Sequence, residues 1–174
     1  YSIFTESSGA GGIAFMSKYE LVNINFIPSG GEGGWFPALK ADIVSPIGLV
    51  QLLNVHLRPP LSDRGTVSLS ALNNSSKVHR NELDYFLKET DPDMPLILAG
   101  DFNESENANA LKDLIEKGFT DALSIYDRSS DTWEWKLFPR FTLGNRYDHI
   151  MFNKKIRCTG ARVTYVNASV LSTK

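Results

Sequence analysis

The stretch Leu96-Ile97-Leu98-Ala99-Gly100-Asp101-Phe102-Asn103 constrains this chain more than any other. A short apolar run closed by glycine and polar residues reads as a buried strand that reaches the mouth of a sheet. Gly100 relieves crowding at the strand end, and two polar side chains follow at alternate positions. In extended backbone Asp101 and Asn103 point to one side, because strand side chains alternate with a period of two. A carboxylate beside an amide can hold and activate a water, one accepting hydrogen bonds and the other both donating and accepting. The same octet also reads as a strand end followed by an Asx turn, so the rest of the chain has to decide.

The residues before the octet read mostly as strands. Gly9 to Gly12 is a turn, since it lacks the Lys-Ser/Thr of a phosphate loop. Ile13 to Ser17, Leu21 to Ile27, Ala38 to Val44 and Leu49 to Val55 carry strand patterning and together predict an antiparallel meander. Ser29 to Gly34 is a glycine-rich loop, and Trp35-Phe36 after it reads either as a lid over a site or as packing against the next strand. Asp63-Arg64-Gly65 marks a turn. A helix is predicted from about Ser70 to Thr90, with Val78, Leu83, Phe86 and Leu87 as its apolar stripe and His79 and Arg80 facing outward.

After the octet, Ser105 to Lys117 predicts a second helix with Ala108, Leu111, Leu114 and Ile115 inward and Gly118 as its stop. Phe119 to Thr132 reads as a lead into a polar loop. Trp133 to Phe141 is aromatic-rich without a clear period. Arg146 to Phe152 predicts a sixth strand and Ile156 to Val166 a seventh. Strands with helices inserted late predict an α/β or α+β sandwich.

With 174 residues, 42% hydrophobic and 22% charged, the chain is long enough for one domain with a sizeable core. No apolar run approaches the ~20 residues that span a bilayer. A net charge of −2 and a pI near 5.9 exclude an overall basic surface for gripping nucleic acid, though not a local basic site. The single cysteine, Cys158, excludes an internal disulfide and reads as a small core or half-buried residue. Sequons include those at Asn74, Asn103 and Asn167. Glycosylation of Asn103 would destroy a site built on it, which favours a compartment without that modification, the cytoplasm. A monomer is the favoured state.

Separate strand ends carry further site-type residues. His56 closes the fourth strand just before Pro59-Pro60, which end pairing. Asp148 sits between Tyr147 and His149 and reads as a buried carboxylate needing a partner or as an edge-strand surface residue. Arg58, two residues past His56, falls on the same face and reads as a holder of substrate phosphate or as surface charge.

The combination resembles the endonuclease/exonuclease/phosphatase superfamily, with its deoxyribonuclease-I-like fold. The residues that carry the resemblance are Asn54-Val55-His56-Leu57, then Gly100-Asp101-Phe102-Asn103, then Thr132-Trp133 followed by Arg146-Tyr147-Asp148-His149-Ile150. Gly12 to Tyr19 resembles the family strand that precedes the catalytic histidine. Thr-Trp followed by Arg-aromatic-Asp is similar to the tyrosyl-DNA phosphodiesterase branch.

The resemblance implies a four-layer α/β sandwich of two mostly antiparallel sheets face to face with helices outside. It implies Mg²⁺- or Mn²⁺-dependent hydrolysis of a phosphate ester, with nucleic acid as the commonest substrate. Asp101 would align or deprotonate the attacking water, and Asn103 would fix that water or a phosphate oxygen. Both would serve as ligands of a second metal. His56 would donate to a non-bridging phosphate oxygen, and Asp148 would orient a second histidine. The family's metal-binding Glu falls before Tyr1 and its Ser-Asp-His past Lys174, so the chain reads as a catalytic domain incomplete at both ends. The expectation is an active parent protein and an inactive isolated segment. Neither Glu6 nor His149 replaces the missing groups: Glu6 lacks the context, and His149 faces the opposite way from Asp148. The alternatives are a small-molecule or lipid head-group phosphatase of the same fold, and a non-catalytic binding module that kept it.

Overall fold

The computed structural model describes residues 1–5, 12–30, 32–61, 69–138 and 141–164. In chain order the elements are β1 (Ser2–Thr5), β2 (Ile13–Met16), β3 (Leu21–Ile27), β4 (Ala38–Ser45), β5 (Gly48–His56) and α1 (Leu69–Leu87). Then follow β6 (Leu96–Asp101), α2 (Asn109–Glu116), β7 (Phe119–Asp121), α3 (Ala122–Tyr126), β8 (Trp133–Phe138), β9 (Phe141–Asn145) and β10 (Asp148–Asn153). Most of the chain is organised on one six-stranded sheet in the order β3-β4-β5-β6-β10-β7, with β1-β2 and β8-β9 as separate two-stranded ladders. The result is a mixed α/β fold.

The meander holds for β3, β4 and β5, which pair antiparallel in sequence order. It does not begin at β2, whose partner is β1. β5 and β6 are parallel, which requires a crossover, and α1 supplies it. β10 returns antiparallel to β6 on its other side.

Alternation sorts the sheet into two faces. Leu53 and Val55 of β5, Leu96 and Leu98 of β6 and Met151 of β10 turn toward Leu83 and Phe86 of α1 and Leu111 and Leu114 of α2, all buried in one cluster. The intervening residues, His56, Asp101 and Asp148 among them, turn the other way. Gly100 has φ +143°, and a Cβ there would stand 1.9 Å from the Val55 carbonyl oxygen, so the parallel pair can close only on glycine.

Several elements depart from expectation. Residues 156–164 form no strand, and Cys158 is half-buried among them. The remainder of that segment, the Asn167 sequon, the Gly9 to Gly11 turn and Asp63-Arg64-Gly65 lie outside the described residues. α2 is shorter than expected and buries Ala110, Leu111 and Leu114, while Ile115 is exposed. Gly118, at φ +92°, does end it. Phe119 to Tyr126, read as loop, is β7 and α3, and the aromatic stretch is the β8-β9 hairpin.

Candidate active site

The register of three adjacent strands assembles the site. His56 at the carboxyl end of β5 pairs with Asp101 at the carboxyl end of β6, and Asp101 pairs with Asp148 at the start of β10. Cα partners on neighbouring strands share a face, so the three side chains form one row across the sheet. The row stands where parallel strands end, the edge at which open α/β sheets bind ligands. His56 Nε2 lies 3.9 Å from Asp101 Oδ2, and both side chains are 41% exposed. Asp148 is exposed, so the buried-carboxylate reading of it does not hold.

Asn103 joins the row by a route the alternation argument did not use. The strand stops at Asp101, Phe102 is fully buried, and Asn103 has φ +48°, a left-handed conformation that Asn tolerates better than most residues. Its backbone N–H donates to Asp101 Oδ1 at 2.8 Å, an Asx turn, and its Nδ2 donates to the Leu57 carbonyl at 2.8 Å. With Nδ2 bound to Leu57, just past the end of β5, the amide oxygen is the group left to accept. The turn and the site are thus the same structure. Burial holds the Asp101 carboxyl above the usual carboxylate range, the Asn103 N–H opposes this, and the negative charge of Asp148 adds to it.

Phe36 stacks on the His56 ring with centroids 4.0 Å apart and planes 8° apart. The preceding residue repeats the arrangement: the Arg58 guanidinium lies 4.2 Å from the Trp35 ring centroid. Arg58 also donates from Nη1 to the Gly33 carbonyl and from Nη2 to the Leu61 carbonyl. Its guanidinium therefore anchors the loop that carries the two aromatic residues.

Behind the row, α1 grips the strand end. The Arg58 N–H donates to Glu82 Oε2 at 3.1 Å, and the Arg58 carbonyl accepts from His79 Nε2–H at 2.6 Å. The other His79 nitrogen, Nδ1, lies 2.7 Å from Glu104 Oε1, and Ser76 Oγ donates to the same oxygen. His149 Nε2–H donates to the Glu104 carbonyl at 3.0 Å, and its Nδ1 meets Asp121 Oδ2 at 3.1 Å. Two fully buried histidines thus converge on Glu104, the residue after Asn103, and tie the ends of β5, β6 and β10 together. Glu82 Oε1 is buried without a hydrogen-bond partner among the described residues. Burial pushes the Glu82 carboxyl up to about 7 against the pull of the Arg58 N–H. Arg146, also buried, donates to Glu106 Oε2 at 2.8 Å and to the Asp127 carbonyl at 2.7 Å, pinning the loops beside the row.

Sequence reasoning brought His56, Asp101, Asn103 and Asp148 together, read Phe36 only as part of a lid or a packing pair, and missed the parts of His79, Glu82 and Glu104. The buried face of α1 is His79, Glu82, Leu83 and Phe86, so His79 does not face outward. Its helical spacing with Leu83 and Phe86 was a signal available in the sequence.

Fold and row together define a mixed α/β protein with a polar site at the carboxyl ends of parallel strands. The Endonuclease/Exonuclease/phosphatase family model matches residues 1–169, and the chain belongs to that family. No curated protein sequence matches it. Among solved structures, an endonuclease/exonuclease/phosphatase family protein from Leptotrichia buccalis superposes with a TM-score of 0.63 at 16% identity, over 90% of this chain and 60% of that one. An AP endonuclease from Archaeoglobus fulgidus gives 0.62 at 17%, over 89% and 67%. The 3′ phosphatase NExo from Neisseria, bound to a product DNA hairpin, gives 0.63 at 16%, over 89% and 67%. The chain thus spans about two thirds or less of each of these proteins. None of the described helices is long and apolar enough to cross a membrane.

Proposed function

We propose that the chain forms the catalytic part of a metal-dependent phosphoesterase that directs a water in line at phosphorus. The observation that carries this reading is the registered row His56–Asp101–Asp148 at the open end of the central sheet. Asp101, anchored through Oδ1 by the Asn103 turn, orients the water and takes its proton. Its raised pKa suits a base better than an ordinary carboxylate does. His56 donates from Nε2 to a non-bridging phosphate oxygen as charge builds there. Asp148 is the carboxylate of the row free to orient a second histidine, and neither His79 nor His149, both buried, is that group. Phosphoryl chemistry of this kind is mostly positioning and electrostatics.

The donor set suits Mg²⁺ or Mn²⁺, hard cations that take oxygen ligands. Among the described residues no three His, Cys, Asp or Glu side chains cluster as a cage. The fit is to a cation held through few protein oxygens, the Asp101 carboxylate and the Asn103 amide oxygen, as Mg²⁺ commonly is. Such a cation would draw charge from the phosphate oxygens.

Nucleic acid is the first substrate to assay, since the Neisseria relative carries a product DNA hairpin. The test measures hydrolysis of bis(p-nitrophenyl) phosphate and of a DNA hairpin by the full-length protein with Mg²⁺, Mn²⁺ or chelator. Activity that needs the cation, and that falls at least ~100-fold in Asp101→Ala with unfolding unchanged, is expected. Unchanged activity in Asp101→Ala would overturn the assignment.

A further inference from the structure

We propose that Phe36 is a positioning residue for His56, holding the imidazole plane so that Nε2 faces Asp101. The inference rests on the phosphoesterase reading for its catalytic consequence and on geometry for the rest. His56 is 41% exposed at a strand end, and the aromatic torsion of a histidine has a broad, shallow preference. Left to itself the ring would turn and carry its donor off the row. The Phe36 ring covers one face of it, 4.0 Å away and within 8° of parallel. That spacing leaves no room for a substrate group between the rings, so Phe36 acts through His56 and does not touch the reacting atoms. The opposite face of the imidazole and its edge toward Asp101 are the working sides.

The loop that carries Phe36 is held by the strand end it serves. His56 and Arg58 are alternate residues on one face, and Phe36 and Trp35 stack on them as two successive rungs. The Arg58 Nη1–H to Gly33 carbonyl bond, 3.0 Å long, closes the loop beyond Trp35. Gly34 allows the turn: a Cβ there would stand 2.4 Å from the Gly30 carbonyl oxygen and 3.0 Å from Glu82 Oε1. Trp35 and Phe36 meet edge to face at 75°, so neither ring turns independently. On the far side the chain enters β4, where Ala38 and Leu39 are fully buried. Phe36 is therefore fixed at both ends before it meets His56.

The experiment follows the His56 ring protons by NMR while varying residue 36. The chain holds three histidines, and the other two are buried, so assignment is direct. In the wild type the Phe36 ring current shifts the His56 Cδ2–H and Cε1–H signals upfield. Phe36→Leu and Phe36→Met release that shift, and Phe36→Tyr keeps it. In the same variants of the full-length protein kcat falls on the order of ten- to a hundredfold for Leu and Met with KM unchanged, and Tyr restores it. Signals that stay put in both non-aromatic variants overturn the stack. A kcat within twofold of wild type despite released signals overturns the positioning role. The ring-current readout needs no activity: a full-length wild type that hydrolyses no phosphate ester but shows the shift overturns the phosphoesterase reading and leaves the stack supported.

Discussion

Asp101 carries opposing demands. It is partly buried beside Asp148, and both conditions disfavour its charged form, yet the proposed roles of base and cation ligand need that form. Its pKa is raised in the folded chain, so its contribution to stability is greatest below the unfolded value near 3.8 and is lost as pH rises through the folded value. Asp101→Asn should therefore raise the unfolding temperature at pH 7 in chelator while lowering activity at least ~100-fold. A variant that is both inactive and less stable at pH 7 would contradict this balance. At this scale the sequence was most informative where a polar residue closed an apolar run: His56, Asp101 and Asp148 each end or begin a strand. The Phe36–His56 stack was illegible, because it joins segments whose approach depends on the β4-β5 pairing and the turn before it.

The elements that were legible share strong patterning over many residues, as in β3 to β6 and α1. β1, β7 and α3 have three to five residues each, too few to show a period. Residues 156–164 alternate without forming a strand, since alternation does not supply a pairing edge. α1 shows the opposite failure: its period was plain, but the polarity of His79 and Glu82 hid that they belong to the buried face. They are buried because Arg58 and Glu104 receive them. Glu82 should then impose a pH dependence on the fold. Its pKa rises from 4.5 to about 7, so folding stability should decline as pH rises through that interval. Glu82→Gln keeps an oxygen for the Arg58 N–H and removes the titration. Urea unfolding at pH 5 and pH 8 should show a decline in the wild type, at most on the order of 3 kcal/mol, and a flat response in the variant at this interval. Parallel curves for the two proteins would mean that Glu82 is not the group responsible.

Across the whole molecule, the distribution of charge bears on the substrate. Lys88, Lys117, Lys154 and Lys155 line a cavity of about 740 Å³ bordered by Leu96 and Asn153. Those residues start β6 and end β10, whereas the row sits at the other ends of the same strands, roughly 17 Å away at strand rise. Beside the row, Arg58 anchors the aromatic loop, and Arg162 lines a smaller cavity with Thr132 and Asp148. With a net charge of −2 there is no broad field to add to these two. A polyanion engaged at the row should therefore release few counterions. Each neutralised phosphate contributes a slope of about −0.9 in log affinity against log salt for duplex DNA. One or two contacts correspond to a total slope of roughly −1 to −2, measured as kcat/KM on a DNA hairpin between about 50 and 200 mM salt. The same titration on a small phosphodiester should be nearly flat. A DNA slope of about −5 or steeper would instead require the lysine cavity, or residues beyond those described, to hold the strand, and would make the protein a polyanion binder despite its acidic composition.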